Sequence, residues 1–221
     1  MLYFSKITLA SASSIAQNLI LLQRNGAYAS HQLLWKLFFS EQERCFLYRH
    51  DQLDNGLPVF WVLSEVEPQC IEPGWDVTTK SFLPKISSGE KLAYKLRANP
   101  TIYDKTTDKR HDVMMHAKFK AREQQEPLNN IQELMQDAAR NWLADPRRLS
   151  QWGITLDTVP DIDGYTQHRC TKKSGRVIQF SSVDYHGILT VQDPELFLKQ
   201  YAKGFGRSKC FGCGLMLIRR V

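Results

Sequence analysis

Eighteen residues at the carboxyl terminus, GFGRSKCFGCGLMLIRRV at 204–221, limit the possible folds more sharply than any other stretch, because a glycine-dense basic loop runs straight into an apolar strand. Gly204, Gly206, Gly212 and Gly214 permit positive φ and close backbone approach, and Arg207 and Lys209 place charge beside them, as a phosphate-contacting loop requires. A plain turn between a helix and a final strand is the simpler alternative. A nucleotide-binding fingerprint is excluded by element order, since such a loop follows a strand and opens a helix. Here the helically spaced PELFLKQYAK precedes the glycines and the apolar run 215–218 follows them. Lysine at 209 also stands where a dinucleotide fingerprint needs its third glycine.

A chain of 221 residues suits one medium domain or two small ones of about 100 residues each. The 29 Lys and Arg against 23 Asp and Glu give a net charge of +6, which favours a polyanionic partner without naming it. Cys45, Cys70, Cys170, Cys210 and Cys213 are odd in number and scattered, as expected of reduced thiols in a cytoplasm. Cys210 and Cys213 form a lone C-x-x-C without a second ligand pair, so buried thiols are expected rather than a metal site. No cofactor is implied. The amino-terminal MLYFSKITLASASSIAQNLILL superficially resembles a secretion signal, but four serines, Gln17 and Asn18 break its apolar core, and a strand followed by a turn is expected. No segment reaches the roughly 18 apolar residues that a membrane span needs.

Along the chain, two halves share one grammar. Residues 2–10 alternate as a strand, and 30–39 put Leu33, Leu34, Leu37 and Phe38 on one helical face. Strands are expected at 44–49 and 59–66 around the turn-forming DQLDNGLP, then a polar connection at 67–76 and a short strand at 80–83. ISSGEK at 86–91 is the expected junction, giving domains 1–88 and 89–221. The second half has a strand at 92–98, the basic TTDKRHDVM, and a helix at 128–143 striped by Ile131, Leu134, Met135, Ala138, Ala139 and Trp142. Strands at 165–171 and 176–180 flank KKSG, another follows at 183–191, and Asp193-Pro194 starts a last helix. The simplest architecture is α+β, two tandem ferredoxin-like (RRM-like) domains, an order too widely shared to name a function.

Four segments together are more specific: the first strand, AYASHQLLWKLF with its Tyr-x-x-His, KLRANPTI followed by KRHDVM, and GFGRSKCFGCGLMLIRR. Over essentially the whole chain this set resembles the CasE-type CRISPR repeat-processing endoribonucleases of type I-E systems, within the RAMP group. Ser208 and Cys210 depart from the glycine or alanine frequent in that loop, and EQQEPLNN is an added polar stretch.

The resemblance implies a metal-independent cut in the repeat of a precursor CRISPR RNA, 3′ of a stem-loop. The 2′-hydroxyl attacks the adjacent phosphate, giving a 2′,3′-cyclic phosphate, and the enzyme stays with the mature crRNA hairpin and the other Cascade subunits. His31 matches the family's catalytic histidine and Tyr28 the tyrosine beside it, while Lys36, about 140° further around a helix, is a weaker candidate for charge stabilisation. With Ser30 as cap, His31 is expected at the first helical position, where the helix dipole keeps the imidazole neutral. The remaining five histidines are expected to be structural, His116 and His186 as partly buried rings in strands.

RNA contacts are expected at three basic clusters. These are Lys105, Lys109 and Arg110; Arg169, Lys172, Lys173 and Arg176; and Arg207 and Lys209 within the loop that also contains Gly204, Gly206, Ser208 and Gly212. The KKSG turn is equally consistent with a solvated hairpin end. A catalytically silent RNA-hairpin-binding protein of two ferredoxin-like units carries the same clusters and stays open as the alternative.

Overall fold

The computed structural model describes residues 1–9, 12–38, 41–69, 74–106, 108–172 and 174–221, with the side chains of 12–15 outside the description. The expected strand end at Ala10, the helix end at Phe39, Cys70 and the cation Lys173 lie outside the described residues. Two compact units partition the chain: Met1–Lys85 with His168–Gln179 and Ser208–Leu215 in the first, and Ile86–Gln167, Phe180–Arg207 and Met216–Val221 in the second.

In the first unit, β1 (Leu2–Leu9) is followed by α1 (Ala12–Trp35), a 3-10 turn (Lys36–Phe38), β2 (Phe46–Gln52), β3 (Pro58–Ser64) and β4 (Trp75–Phe82). The strands pair antiparallel in the order β2-β3-β1-β4. Ile7, Phe60 and Val62 meet Leu33, Leu34, Leu37 and Phe38 in one buried cluster. Each such side chain taken from water contributes about 1.5–3 kcal/mol. The amino-terminal expectation needs correcting here. A helix, not a turn, follows the first strand, with Leu22 buried in the same core. Of the polar residues that broke the apolar run, Gln17 is exposed on this helix.

The second unit holds β5 (Lys91–Ala98), a two-stranded ribbon of β6 (Thr101–Asp104) and β7 (Lys109–Asp112), α2 (Val113–Glu123), α3 (Leu128–Leu143), α4 (Pro146–Trp152) and β8 (Ile154–Leu156). β9 (Asp161–Thr171), β10 (Val177–Val191), α5 (Pro194–Lys203) and β11 (Met216–Arg220) complete it, with β9 and β10 running on into residues of the first unit. The sheet order is β11-β5-β10-β8 with β9 on β10. Both orders are those of a ferredoxin-like sheet, so the chain is α+β with two ferredoxin-like domains.

Local signals account for several boundaries. α3 spans the expected residues and buries Ile131, Ala139 and Trp142, although Leu134 of the same stripe is exposed. Asp193 caps α5 by accepting the N–H groups of Glu195 and Leu196, with Pro194 at the first helical position. α2 corrects the reading of His116 as a strand residue, and Asp112 caps that helix through Met114 N and Met115 N. The two strands expected at 176–180 and 183–191 are one continuous β10. Within LRANP, Arg97 donates to both carboxylate oxygens of Asp184 across the sheet, at 3.0 and 2.7 Å.

Candidate active site and nucleic-acid interface

α1 is broken at Gly26, whose φ of 45° and ψ of −119° interrupt the helix. A Cβ there would meet open space, so the glycine serves the backbone conformation and not packing. The helix resumes after the break and carries Tyr28, His31, Gln32 and Trp35 at three- and four-residue steps. Gln32 donates to the Tyr28 hydroxyl at 3.2 Å. The imidazole of His31 lies between Trp35 and Phe46, with ring centroids 5.5 and 5.9 Å away, and its Nδ1 is buried with no hydrogen-bond partner.

These surroundings lower the pKa of His31, first through burial and second through the positive charge of Arg44, so the ring is neutral near pH 7. The expected cause differs. Ser30 is no cap: it lies buried within the helix and donates to the Gly26 carbonyl at 3.1 Å. His31 falls five residues beyond the break, outside the first turn where the dipole acts. Lys36 starts the 3-10 turn on an exposed position, directly after Trp35.

Within the same unit, the tip of the β9–β10 hairpin is fastened to the helix break. Asn25 Nδ2 donates to the Thr171 carbonyl at 2.8 Å and Asn25 Oδ1 accepts the Thr171 N–H at 3.0 Å, the pattern of a strand partner. Cys170 is 3% exposed, and burial raises its thiol while the backbone of Tyr28 beside it draws the thiol back. The turn closes through Lys172 N to Arg176 O and Gly175 N to Lys172 O, both 2.9 Å, with Gly175 at φ 81°. Arg169, Lys172 and Arg176 are exposed around it.

The glycine loop is divided between the units after Arg207. All four glycines have positive φ, as does Ser208 at 54°. In the first unit Lys209–Phe211 form a 3-10 turn, and a Cβ on Gly212 would stand 3.2 Å from the Tyr48 ring. Tyr48 is buried, which pushes its phenol far up, and its hydroxyl donates to the carbonyls of Ala27 at 3.0 Å and Cys210 at 3.3 Å. The Cys210 thiol is raised by burial and drawn back by the cations of Arg44 and Lys172. In the second unit a Cβ on Gly206 would lie 3.2 Å from Trp142. Gly206 and Gly212 therefore have a packing reason to be glycine.

The first unit thus brings together His31, Tyr28, Arg169, Lys172, Arg176, Ser208, Lys209 and Gly212, while Gly204, Gly206, Arg207, Lys105, Lys109 and Arg110 belong to the second. Sequence reasoning missed Asn25, Arg44 and Tyr48. Asn25 and Tyr48 act through partners 146 and 162 residues away, and no local pattern marks such a pairing. Arg44 donates from Nη1 to the Phe46 carbonyl at 2.8 Å, beside the ring that packs on His31, and its sequence neighbours mark it only as the start of a strand. Cys45, Cys170, Cys210 and Cys213 are not joined in disulfides, and among the described residues no group of three or more His, Cys, Asp or Glu side chains is placed to hold a metal ion. No helix is long and apolar enough to cross a membrane among the described residues.

A family model described as "CRISPR associated protein" matches residues 2–220. The Cascade subunit CasE of Escherichia coli K12 is 28% identical over 220 residues, covering 97% of this chain and 98% of CasE. A solved structure of the CRISPR endoribonuclease Cse3 bound to a 19-nucleotide RNA aligns with a TM-score of 0.72 and 25% identity, covering 98% of this chain and 99% of the other. Thermus thermophilus Cse3 bound to an RNA representing a pre-cleavage complex aligns with a TM-score of 0.70 and 25% identity, over 99% and 98% of the two chains.

Proposed function

Because the chain belongs to the family of CRISPR-associated proteins, we propose that it is a CasE-type endoribonuclease that cuts precursor CRISPR RNA within the repeat, 3′ of a stem-loop. It stays bound to the mature crRNA hairpin alongside the other Cascade subunits, in the cytoplasm and without a small-molecule cofactor. The observation that carries this reading is the neutral imidazole of His31, seated in its aromatic pocket in the same compact unit as the hairpin-tip cations and the Lys209 turn.

The reaction needs a base on the 2′-hydroxyl, charge stabilisation on the phosphorane and a proton for the departing 5′-oxygen. With Nδ1 enclosed, Nε2 of His31 takes the 2′-hydroxyl proton as that oxygen attacks the adjacent phosphorus. The bond to the 5′-oxygen breaks as that oxygen takes a proton from water, leaving a 2′,3′-cyclic phosphate and a 5′-hydroxyl, and the His31 imidazolium returns its proton to the solvent. Tyr28, one helical turn from His31 and oriented by Gln32, positions the phosphate. Lys36 and Arg44 supply positive charge. Domain 1–88 carries His31, and Lys105, Lys109, Arg110, Arg169, Lys172, Lys173, Arg176, Gly204, Gly206, Arg207, Ser208, Lys209 and Gly212 of domain 89–221 contact the RNA.

The test is His31→Ala with a cognate repeat RNA. Cleavage is expected to be abolished while the stem-loop still binds, and cutting at the parent's rate overturns the assignment. A single 2′-deoxy nucleotide upstream of the scissile phosphate blocks the reaction if the 2′-hydroxyl is the nucleophile.

A further inference from the structure

Beyond the hairpin tip and the glycine loop, the second unit has a cavity of about 390 Å³ between the β6–β7 ribbon and α2, lined by Asp104, His111, Asp112, Met115, His116 and Phe119. That volume lies at the small end of ligand pockets and accommodates one flat ring system. Its walls are unusual for a surface. The imidazoles of His111 and His116 have centroids 5.7 Å apart at 32°, and Phe119 is 60% and Met115 38% exposed, so the fold leaves apolar and aromatic faces uncovered.

Cations outnumber the carboxylates around the cavity, whose lining includes Asp104 and Asp112. Lys105, Lys109, Arg110 and Lys120 are exposed at its margins. The nearby carboxylates are taken up internally. Asp104 accepts Thr106 N and Oγ1, Asp108 accepts the Tyr103 hydroxyl, and Asp112 accepts Met114 N, Met115 N and the hydroxyls of Tyr165 and Ser181. Arg110 is ordered over the Tyr103 ring at 5.3 Å. Exposed aromatic faces interleaved with exposed cations are the arrangement by which proteins hold single-stranded nucleic acid, the rings stacking on bases and the cations following the backbone.

We infer that the cavity between the β6–β7 ribbon and α2 seats an unpaired nucleobase of the RNA strand that enters the stem-loop from its 5′ side. This rests on the function proposed above and adds a second site to it. A cut 3′ of the stem leaves the 5′ flank attached to the retained product, so the 5′ flank is the single strand that a persistent contact can serve. Phe119 and the His111–His116 pair stack on the base, and Lys109 and Lys120 meet its neighbouring phosphates.

The experiment compares two labelled RNAs, the bare stem-loop and the stem-loop carrying about eight unpaired nucleotides on its 5′ side, a length within single-strand site sizes. Both carry a 2′-deoxy block at the cut position, and binding to the full chain is followed by anisotropy. The parent is expected to bind the flanked RNA more tightly. Phe119→Ala should weaken the flanked RNA about tenfold and leave the bare stem-loop unchanged, given what stacking on one ring contributes, and Phe119→Trp should restore the difference. Equal binding of both RNAs by the parent, or equal weakening of both by the alanine variant, overturns the inference. So does unchanged RNA binding with loss of co-migration with the other Cascade proteins, which makes the patch a protein contact. A parent that binds neither RNA removes the nuclease reading first, and this site with it.

Discussion

Gly206 and Gly212 belong to one loop, both have positive φ, and each faces an aromatic ring that a Cβ would approach to 3.2 Å. The rings are tied in differently. Trp142 is stacked on Tyr185 at 6.2 Å and covered by the Arg148 guanidinium at 4.2 Å, all within the core of the second unit. Tyr48 instead spends its hydroxyl on Ala27, at the restart of the helix bearing Tyr28 and His31, and on Cys210 in the loop itself. The same local device therefore holds a core in one place and ties the loop to the helix bearing His31 in the other.

The sharpest way to break that comparison is to put a methyl group at each position. Gly212→Ala meets both left-handed backbone strain and the Tyr48 ring, at a cost of about 2–4 kcal/mol that is relieved by shifting Tyr48 and the helix start. Its single-turnover cleavage at saturating RNA should fall about a hundredfold, the effect of a misplacement of order 1 Å at the reacting groups. Gly206→Ala carries a similar strain, expressed in chemical denaturation and RNA affinity, with a much smaller change in that rate. If the two variants lose rate in proportion to their loss of stability, the distinction between the rings is void.

Tyr48→Phe separates the hydroxyl from the ring. The ring still fills the core, but the donor shared between Ala27 and Cys210 is gone, a loss of about 1 kcal/mol or a little more. Cleavage at saturating RNA should drop about fivefold to tenfold with little change in melting temperature. A phenylalanine variant as fast as the parent would reduce Tyr48 to packing alone.

What was legible beforehand follows the range of the interactions. α3 and the Asp193-Pro194 start of α5 are written in spacing and capping within a few residues, and both fall where the sequence puts them. The Tyr28–His31 pair is equally local, one helical step apart. The helix following β1 was hidden because Gln17 and Asn18 interrupt its apolar run and Ile20 and Leu21 are exposed beside the buried Leu22, which blurs any stripe, and α2 because the KRHD strand leads straight into its capping Asp112. His31's neutrality was anticipated from the wrong source: a dipole argument needs only neighbours in sequence, whereas Phe46 and Arg44 come from the following strand region. The seats of Gly206 and Gly212 likewise depend on rings from other elements, so their spacing alone could not tell packing from ligand contact.

Asn25→Ala tests the hairpin tip without touching either ring. Both lost hydrogen bonds, at 2.8 and 3.0 Å, are exposed, and water takes the place of the side-chain amide at Thr171. Dissociation constants for the stem-loop should rise about threefold to tenfold, and the single-turnover rate at saturating RNA should hold. A fall in that saturated rate instead would mean that the tip, like Tyr48, sets the position of the reacting groups.

Arg44→Ala gives the smallest effect at alkaline pH and the most diagnostic one below neutrality. The guanidinium opposes a second positive charge on His31, so removing it raises the histidine's pKa towards its ordinary value, while burial continues to hold it down. The base form is then lost at higher pH, and the acid limb of kcat/KM against pH should move upward, with the plateau little changed. Arg44→Lys keeps the charge and should keep the limb where the parent has it. A plateau that falls in both variants while the limb stays fixed would assign Arg44 to direct contact with the phosphate, through the planar donor fork that lysine lacks. In that case the charge acting on His31 would matter less than the one presented to the RNA.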